Sequence, residues 1–371
     1  MSKLIYITSL SFPARFANQI QVFSMAQAFS RLLGPRFLFV CSGAINNELK
    51  DIPYYILKTI FFKLPVSLSI YYYFFWMPFF LARHVVSGSV LYFKDTRLAA
   101  FALFWKKILS SRIRVVIEAH IPFLYDYYVF PRADHIITIT SSMVKMIKYH
   151  HNISVQKISL LPDGVDLKNF DLNISRTEAR IVTNLPLDKK IILYSGSVGY
   201  YNWKGEDIFI KSAKLFDSHF LFVVVGGTSS DAEKIIGQSL PNNVLCVDRQ
   251  PHNKISFYLK AADVLVLPNK KGNPRSEMLT SPLKLFEYMA SSVPIVASDL
   301  TSTREVLNSN NALLVKPNDP KALADGILKI IKDKILADFL ARKARIDVNK
   351  YEWQVRAERI LDFINFNKSP Y

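Results

Sequence analysis

Short apolar runs rich in β-branched residues alternate with stretches of helical period along almost the whole chain, and that alternation begins twice. In the first round KLIYITSL, FLFVCSG, SVLYFKD, RVVIEAH and HIITIT read as strands. Between the first two, Ala17 to Leu33 places Ile20, Phe23, Ala26 and Phe29 at helical spacing, with Gly34 as a stop. A polar segment carrying Pro and Gly follows at about 170–188. The pattern then restarts with KIILYSGS, HFLFVVVGG, NVLCVD, DVLVLP and VPIVAS as strands, each pair separated by a helical stretch. Strands alternating with helices demand a parallel sheet covered on both faces. The expected fold is therefore α/β with two Rossmann-like domains, 1–172 and 173–352. A final helix at about 353–371 is expected to pack back on the first domain. Sheets of this kind bind ligands outside the carboxyl ends of their strands, so the crevice between two of them is the place to look for a site.

Composition narrows the partners. The 371 residues are half apolar, enough for sizeable cores, and the formal charge is +17. Such a balance points to an anionic partner: nucleic acid, a membrane surface or a phosphorylated substrate. No helix-turn-helix, zinc or RNP-like pattern accompanies the charge, which argues against nucleic acid. No G-x-G-x-x-G follows the first strand, which argues against a nicotinamide dehydrogenase. The two cysteines, Cys41 and Cys246, have no metal-like spacing and read as thiols in a reducing compartment. No secretory leader precedes the first strand, so a cytoplasmic location is expected. Leu64 to Ala82 lacks charge over a nearly membrane-spanning length, but its two Pro and its Tyr and Trp residues favour a buried or interface-seated helix.

Two constellations carry chemistry. The first is Thr280-Ser281-Pro282-Leu283-Lys284-Leu285-Phe286-Glu287-Tyr288-Met289-Ala290. A Ser-Pro pair opens a helix, because proline lacks an N–H where none is needed. The amides of Leu283, Lys284 and Leu285 then point out of the helix start and form an anion site to which Lys284 adds a full charge. Glu287 lies on the same helix face as Lys284, where a carboxylate suits the two hydroxyls of a ribose. The second is Tyr194-Ser195-Gly196-Ser197-Val198 followed by Trp203-Lys204-Gly205. A strand ends in a turn of small residues, Gly196 and Ser197, which lets backbone approach a ligand, and Lys204 follows within reach of a diphosphate.

Together these stretches resemble the retaining family-4 glycosyltransferases of GT-B fold, also called glycosyl transferases group 1. Further marks run along the chain. Phe16-Ala17-Asn18-Gln19-Ile20-Gln21-Val22 resembles the acceptor-side loop, and Ile117-Glu118-Ala119-His120 the strand that ends in the His beside the reaction centre. Leu161-Pro162-Asp163-Gly164-Val165-Asp166 resembles the interdomain P-N-G-V-D segment, and Ala262-Asp263-Val264-Leu265-Val266-Leu267-Pro268 the A-D-v-x-v-x-P strand. The resemblance implies transfer of a sugar from a nucleotide-diphosphate sugar with the anomeric configuration retained. By it Lys204 and Lys284 hold the diphosphate, Glu287 the ribose, and His120 the donor sugar or incoming hydroxyl. Phe16, Asn18 and Gln21 fall on the acceptor side. It implies no obligatory metal and no cofactor beyond the donor itself.

The chain departs from the family pattern twice. Its E-x7-E pair keeps only Glu287, since Leu279 stands eight residues earlier and Glu277 is off register. The Arg often found after the second constellation's strand is Ser197 or Val198 here, and Lys284 is expected to replace its charge. The acceptor implied is a glycan or a lipid-linked molecule, in bacterial surface polysaccharide assembly. Lys58, Lys63, Arg83, Lys106 and Lys107 flank apolar stretches, so peripheral contact with an anionic membrane at its inner face is expected as well. A nucleotide-sugar epimerase and a non-catalytic nucleotide-sugar-binding subunit are the alternatives, separated by product analysis.

Overall fold

The structure is a computed structural model that describes residues 2–14, 16–44, 49–56, 66–109, 112–122 and 125–366. Two compact units divide the chain: Met1–Pro162 with Trp353–Tyr371, and Asp163–Glu352.

The first unit is built on strands β1 (Leu4–Ile7), β3 (Phe37–Cys41), β5 (Tyr54–Ile56), β6 (Val90–Phe93), β7 (Arg114–Ala119), β8 (His135–Thr138) and β9 (Ile158–Leu160). Their order is β5-β3-β1-β6-β7-β8-β9, and every pairing is parallel. All residues of β1 and β6 are buried, as expected of central strands covered on both faces. Two short strands, β2 (Ser11–Phe12) and β4 (Gly43–Ala44), pair apart from this sheet. Helices α1 (Ala17–Leu33), α2 (Val66–His84), α3 (Thr96–Ile108), α4 (Asp126–Arg132) and α5 (Ser141–His151) connect the strands. Local caps fix where helices start: Asp95 accepts from the Arg97 amide at 3.0 Å for α3, and Thr140 from the Met143 amide at 3.3 Å for α5. The strand order reverses between β1 and β6, which makes their carboxyl ends the switch point.

The apolar stretch at 64–82 is α2 from Val66 onward. Among the described residues no helix is long and apolar enough to cross a membrane. Lys58 and Lys63 lie outside the described residues.

The last helix, α14 (Trp353–Phe363), belongs to the first unit and packs on α1. Arg114 on β7 donates to the Ile364 carbonyl at 2.5 Å, and the His135 ring meets Phe363 edge-on at 5.0 Å.

The second unit contains β10 (Lys190–Ser195), β11 (Phe220–Val225), β12 (Val244–Val247), β13 (Val264–Leu267), β14 (Ile295–Ser298) and β15 (Leu313–Val315). They form a parallel sheet of order β12-β11-β10-β13-β14-β15, which reverses between β10 and β13. Helices α6 (Arg176–Val182), α7 (Glu206–Ala213), α8 (Ser229–Ile236), α9 (His252–Ala261), α10 (Leu283–Ala290), α11 (Thr301–Arg304), α12 (Pro320–Lys332) and α13 (Lys334–Asp347) accompany it. Apolar clusters fill both faces, one around Leu193, Leu265 and Phe286, the other around Ile192, Phe222 and Ile327.

The unit boundary lies ten residues ahead of the expected domain boundary at 172. Hydrogen bonding explains the difference. The Val165 amide donates to the Tyr351 carbonyl at 3.0 Å, Val165 bridges Glu352, and Phe170 joins the second unit's core. Polarity marks a surface segment, and this one is surface of the second unit.

A buried ion pair ties α6 to the start of β13. Asp263 accepts from Arg180 at 2.6 Å, from Arg176 at 2.9 Å and from the Ile191 amide at 2.8 Å. Arg180 also donates to the carbonyls of Ala261, Leu187 and Lys189. Removing Arg180 strips Asp263 of its buried partner and leaves the half-exposed Arg176 and the Ile191 amide to hold its charge. Arg180→Met is therefore expected to cost about 3–5 kcal/mol, read as a fall in the urea midpoint of the second unit's transition. A loss under about 1 kcal/mol contradicts this assignment.

Candidate functional site

In the second unit the carboxyl end of β10 meets the start of α10. The Ser195 amide donates to the Tyr288 hydroxyl at 2.8 Å, which docks the end of the strand onto the helix. Gly196 follows at φ +153°, and a side chain there has no room: a Cβ would lie 2.6 Å from the Lys284 Nζ and 2.9 Å from the Tyr194 hydroxyl. Gly226, at the end of the neighbouring β11, is equally constrained, because its Cβ would fall 2.4 Å from the Gly196 carbonyl oxygen. The turn is thus packed so that backbone and the Lys284 ammonium share one small space.

Lys284 is the unusual group. Its Nζ is shielded from solvent and has no hydrogen-bond partner. It sits 3.9 Å from the centroid of the Tyr194 ring, a cation–π contact. Burial lowers its pKa to about 7, with help from the charge of Lys204 and against the pull of Glu206 and Glu287. Lys204 is half-buried, donates to the Ser197 carbonyl at 3.4 Å and lies 5.0 Å from the Tyr201 ring centroid. Burial lowers its pKa too. Glu206, the first residue of α7, is almost fully buried, and burial raises its carboxyl against the two lysines. Two lysines whose charged forms are both penalised by burial make a cradle that an incoming anion would complete.

The sequence does not announce three members of this cluster. Glu206 reads as an ordinary first-turn acid, and Tyr288 as one more apolar residue of a helix face. His252 opens α9, and its Nε2 lies 2.7 Å from the Glu287 Oε1. Burial pulls the His252 pKa down, but the Glu287 carboxylate outweighs it and the net shift is upward. Thirty-five positions separate the two residues, so only the fold joins them.

Several sequence expectations are refined. Pro282 caps α10 from outside rather than occupying its first turn. The Leu285 amide donates to the Pro282 carbonyl at 2.9 Å and its side chain is buried in the core, which removes it from the expected anion site. The first-turn amides of Leu283 and Lys284 remain. The Ser281 hydroxyl accepts from the Asp163 amide at 3.1 Å, so it holds the P-D-G segment in place. Glu277 does not substitute for a carboxylate at position 279. It accepts from the Gly272 amide at 2.6 Å within its own loop, while Leu279 is buried.

In the first unit His120 follows β7 and keeps part of its ring exposed. Its Nε2 lies 2.7 Å from Glu118 Oε1. Glu118 has no solvent exposure and also accepts from the Gln21 amide group at 2.6 Å, Arg356 Nη2 at 2.9 Å and the Tyr92 hydroxyl. Gln21 is therefore misread as an acceptor contact. It is buried, with its nitrogen on Glu118 and its oxygen taking a hydrogen bond from Lys94. Phe16 and Asn18 are exposed, at the start of α1.

Comparison with known proteins follows the same lines. Residues 175–347 match the family described as glycosyl transferases group 1. A D-inositol 3-phosphate glycosyltransferase of Xylanimonas cellulosilytica is 26% identical over 243 residues, 62% of this chain and 56% of that protein. The chain thus aligns with little more than half the length of such a curated relative. In fold, sucrose-phosphate synthase of Thermosynechococcus elongatus superposes with a TM-score of 0.77 at 17% identity, covering 98% of each chain. Anabaena Alr3699/HepE, solved in complex with UDP and glucose, gives a TM-score of 0.73 at 14% identity over 98% of this chain and 100% of that one. Residues 175–347 thus match the glycosyl transferases group 1, and the chain shares the GT-B fold along its length.

Proposed function

We propose that the chain is a retaining glycosyltransferase that moves a sugar from a nucleotide-diphosphate sugar to a glycan or lipid-linked acceptor. The Lys284 ammonium carries this reading: it is shielded from solvent, without a hydrogen-bond partner, and beside a glycine turn that excludes side chains. A buried cation without a hydrogen-bond partner is costly, and an arriving anion would supply one in the working state. Lys284, Lys204 and the amides of Leu283 and Lys284 would take the diphosphate. As the glycosidic bond to the diphosphate breaks, charge grows on the leaving oxygen, and fixed donors of this kind stabilise it without reorganising. Lys284 supplies the positive charge for which the family often uses Arg near Ser197 and Val198. Glu287 would bind the ribose with the oxygen that His252 does not occupy. That the structure of Alr3699/HepE holds UDP supports a nucleotide as one ligand of this fold. The acceptor is assigned to the first unit, with Asn18, Phe16 and His120 in contact.

The apolar faces of α2 and α3 support a membrane-bound acceptor. Phe75 and Phe79 are exposed one turn apart on α2, as are Phe104 and Ile108 on α3. Trp105 on α3 donates to the Phe74 carbonyl on α2 at 2.9 Å, so the two helices present their rings together. Arg83 and Lys107 are exposed nearby in sequence. We place the enzyme at the inner face of the cytoplasmic membrane, in surface polysaccharide assembly.

Two outcomes are expected. Lys284 is near half-charged around pH 7 without ligand, and a bound diphosphate favours its protonated form. Binding therefore takes up a proton above about pH 7, and nucleotide affinity should fall by up to tenfold per pH unit there. It should level off below that pH. Lys284→Met should lose about 1.5–3 kcal/mol of nucleotide affinity together with this pH dependence, measured by calorimetric titration of UDP and GDP. Unchanged affinity in Lys284→Met, with loss only in Lys204→Met, contradicts the assigned role. Separately, the chain should bind anionic vesicles in a salt-sensitive way, and Phe75→Ser with Phe79→Ser should abolish it. Vesicle binding unaffected by both substitutions removes this face from the account.

A further inference from the structure

Glu118 is buried inside the first unit and accepts from four groups on four elements: Gln21 on α1, Tyr92 on β6, His120 after β7, and Arg356 on α14. Arg356 is itself 3% exposed, and its guanidinium also donates to the carbonyls of Pro162 at 2.8 Å and Leu161 at 3.1 Å. A carboxylate in such a place is not needed for the sheet. The backbone of β7 pairs with β6 over Arg114–Ile117 and with β8 over Val116–Ala119 without it.

The hydrogen bonding also decides the state of the histidine. Burial alone would raise the Glu118 carboxyl, but the charge of Arg356 and the hydrogen bond from His120 hold it well below the usual range. An ionised carboxylate only accepts hydrogen bonds. His120 Nε2 must then carry hydrogen, and in the neutral ring the lone pair sits on Nδ1. This is the arrangement in which a ring is aimed by a partner on one nitrogen and works with the other.

We propose that Arg356, delivered by the C-terminal helix from 238 positions away, is a positioning residue for His120: it locks Glu118, and Glu118 fixes the imidazole so that Nδ1 is presented to the incoming acceptor hydroxyl. The proposal rests on the transferase reading above and deepens it. Gln21 serves the same end, holding Glu118 with its nitrogen while Lys94 holds its oxygen. The residues that look like an acceptor motif in α1 thus partly buttress the histidine. The hydroxyl need only donate a hydrogen bond to Nδ1 as it approaches the donor sugar.

The test reads the ring directly. The full chain is labelled with 15N-histidine, and the ring nitrogen shifts of His120 are recorded in the parent, in Arg356→Met, in Arg356→Lys and in the double variant Arg356→Met with Glu118→Leu. At a pH where its ring is neutral, the parent should show a single tautomer with hydrogen on Nε2. Arg356→Met should lose that single form and lower kcat by about 100-fold, as misplacement of a reacting group does. The KM for the nucleotide sugar should stay within about twofold, because its site lies in the other unit. Arg356→Lys should restore part of both. The double variant removes both charges and covers the case in which Arg356→Met does not fold. There too the single form should vanish. Persistence of the Nε2-hydrogen form in Arg356→Met or the double variant, with kcat unchanged, overturns the proposal and leaves Arg356 a purely structural group. Absence of turnover by the parent with every nucleotide sugar tried is a different failure: it overturns the transferase reading, while the ring shifts still decide whether Arg356 orients His120.

Discussion

An ammonium group buried without a hydrogen-bond partner is costly in any fold, and Lys284 holds one at the junction of a strand, a glycine turn and a helix start. Several nearby features follow from keeping it there. Gly196 must be glycine because the Lys284 Nζ occupies the place of its side chain. Gly226 must be small because the Gly196 carbonyl presses against it. Tyr194 offers its ring face to the cation, and Tyr288 pins the Ser195 amide so that the turn does not drift. Glu206 contributes a buried carboxyl that offsets part of the charge without forming an ion pair at salt-bridge distance with either lysine. The cluster is polarised and its Lys284 ammonium has no hydrogen-bond partner, as the proposed diphosphate site requires.

The first unit solves the opposite problem. There the buried charge is a carboxylate, and it is fully satisfied. Glu118 gathers donors from α1, β6, the end of β7 and α14, and passes that order to one partly exposed ring. A satisfied network is rigid, because every member fixes the orientation of the next. The Lys284 ammonium, by contrast, has no hydrogen-bond partner of its own. The two units thus treat charge in complementary ways: one holds a side chain still and the other holds a place open.

Much of this fold is legible in the sequence because strand and helix periods are local. The fully buried runs LIYI, VLYF and VLVL show themselves by β-branched and aromatic content alone, and Asp95, Thr140 and Thr228 mark helix starts by their capping chemistry. The Ser-Pro-Leu-Lys start of α10 is legible for the same reason. The remainder is not local. His252 and Glu287 meet across 35 positions, Arg356 and Glu118 across 238. No period or spacing encodes such pairs. Gln21 looks like a ligand contact because its motif lies at a helix start, yet helical spacing turns its side chain inward. The place where units divide is set by a backbone bridge between Val165 and Glu352, invisible to a reading of polarity.

The central claim is that the carboxyl end of β10 and the start of α10 hold a nucleoside diphosphate. A thermal-shift series with UDP, GDP, ADP, CMP and dTDP sugars tests it directly, run on the parent, on Gly196→Val and on Glu287→Ala. One base should stabilise the parent by roughly 2.7 kcal/mol at about 100 times its dissociation constant. Both variants should lose that shift, the first because a side chain fills the space beside Lys284 and the second because the ribose contact is gone. A shift of the same size in Gly196→Val would place the nucleotide elsewhere and contradict the account.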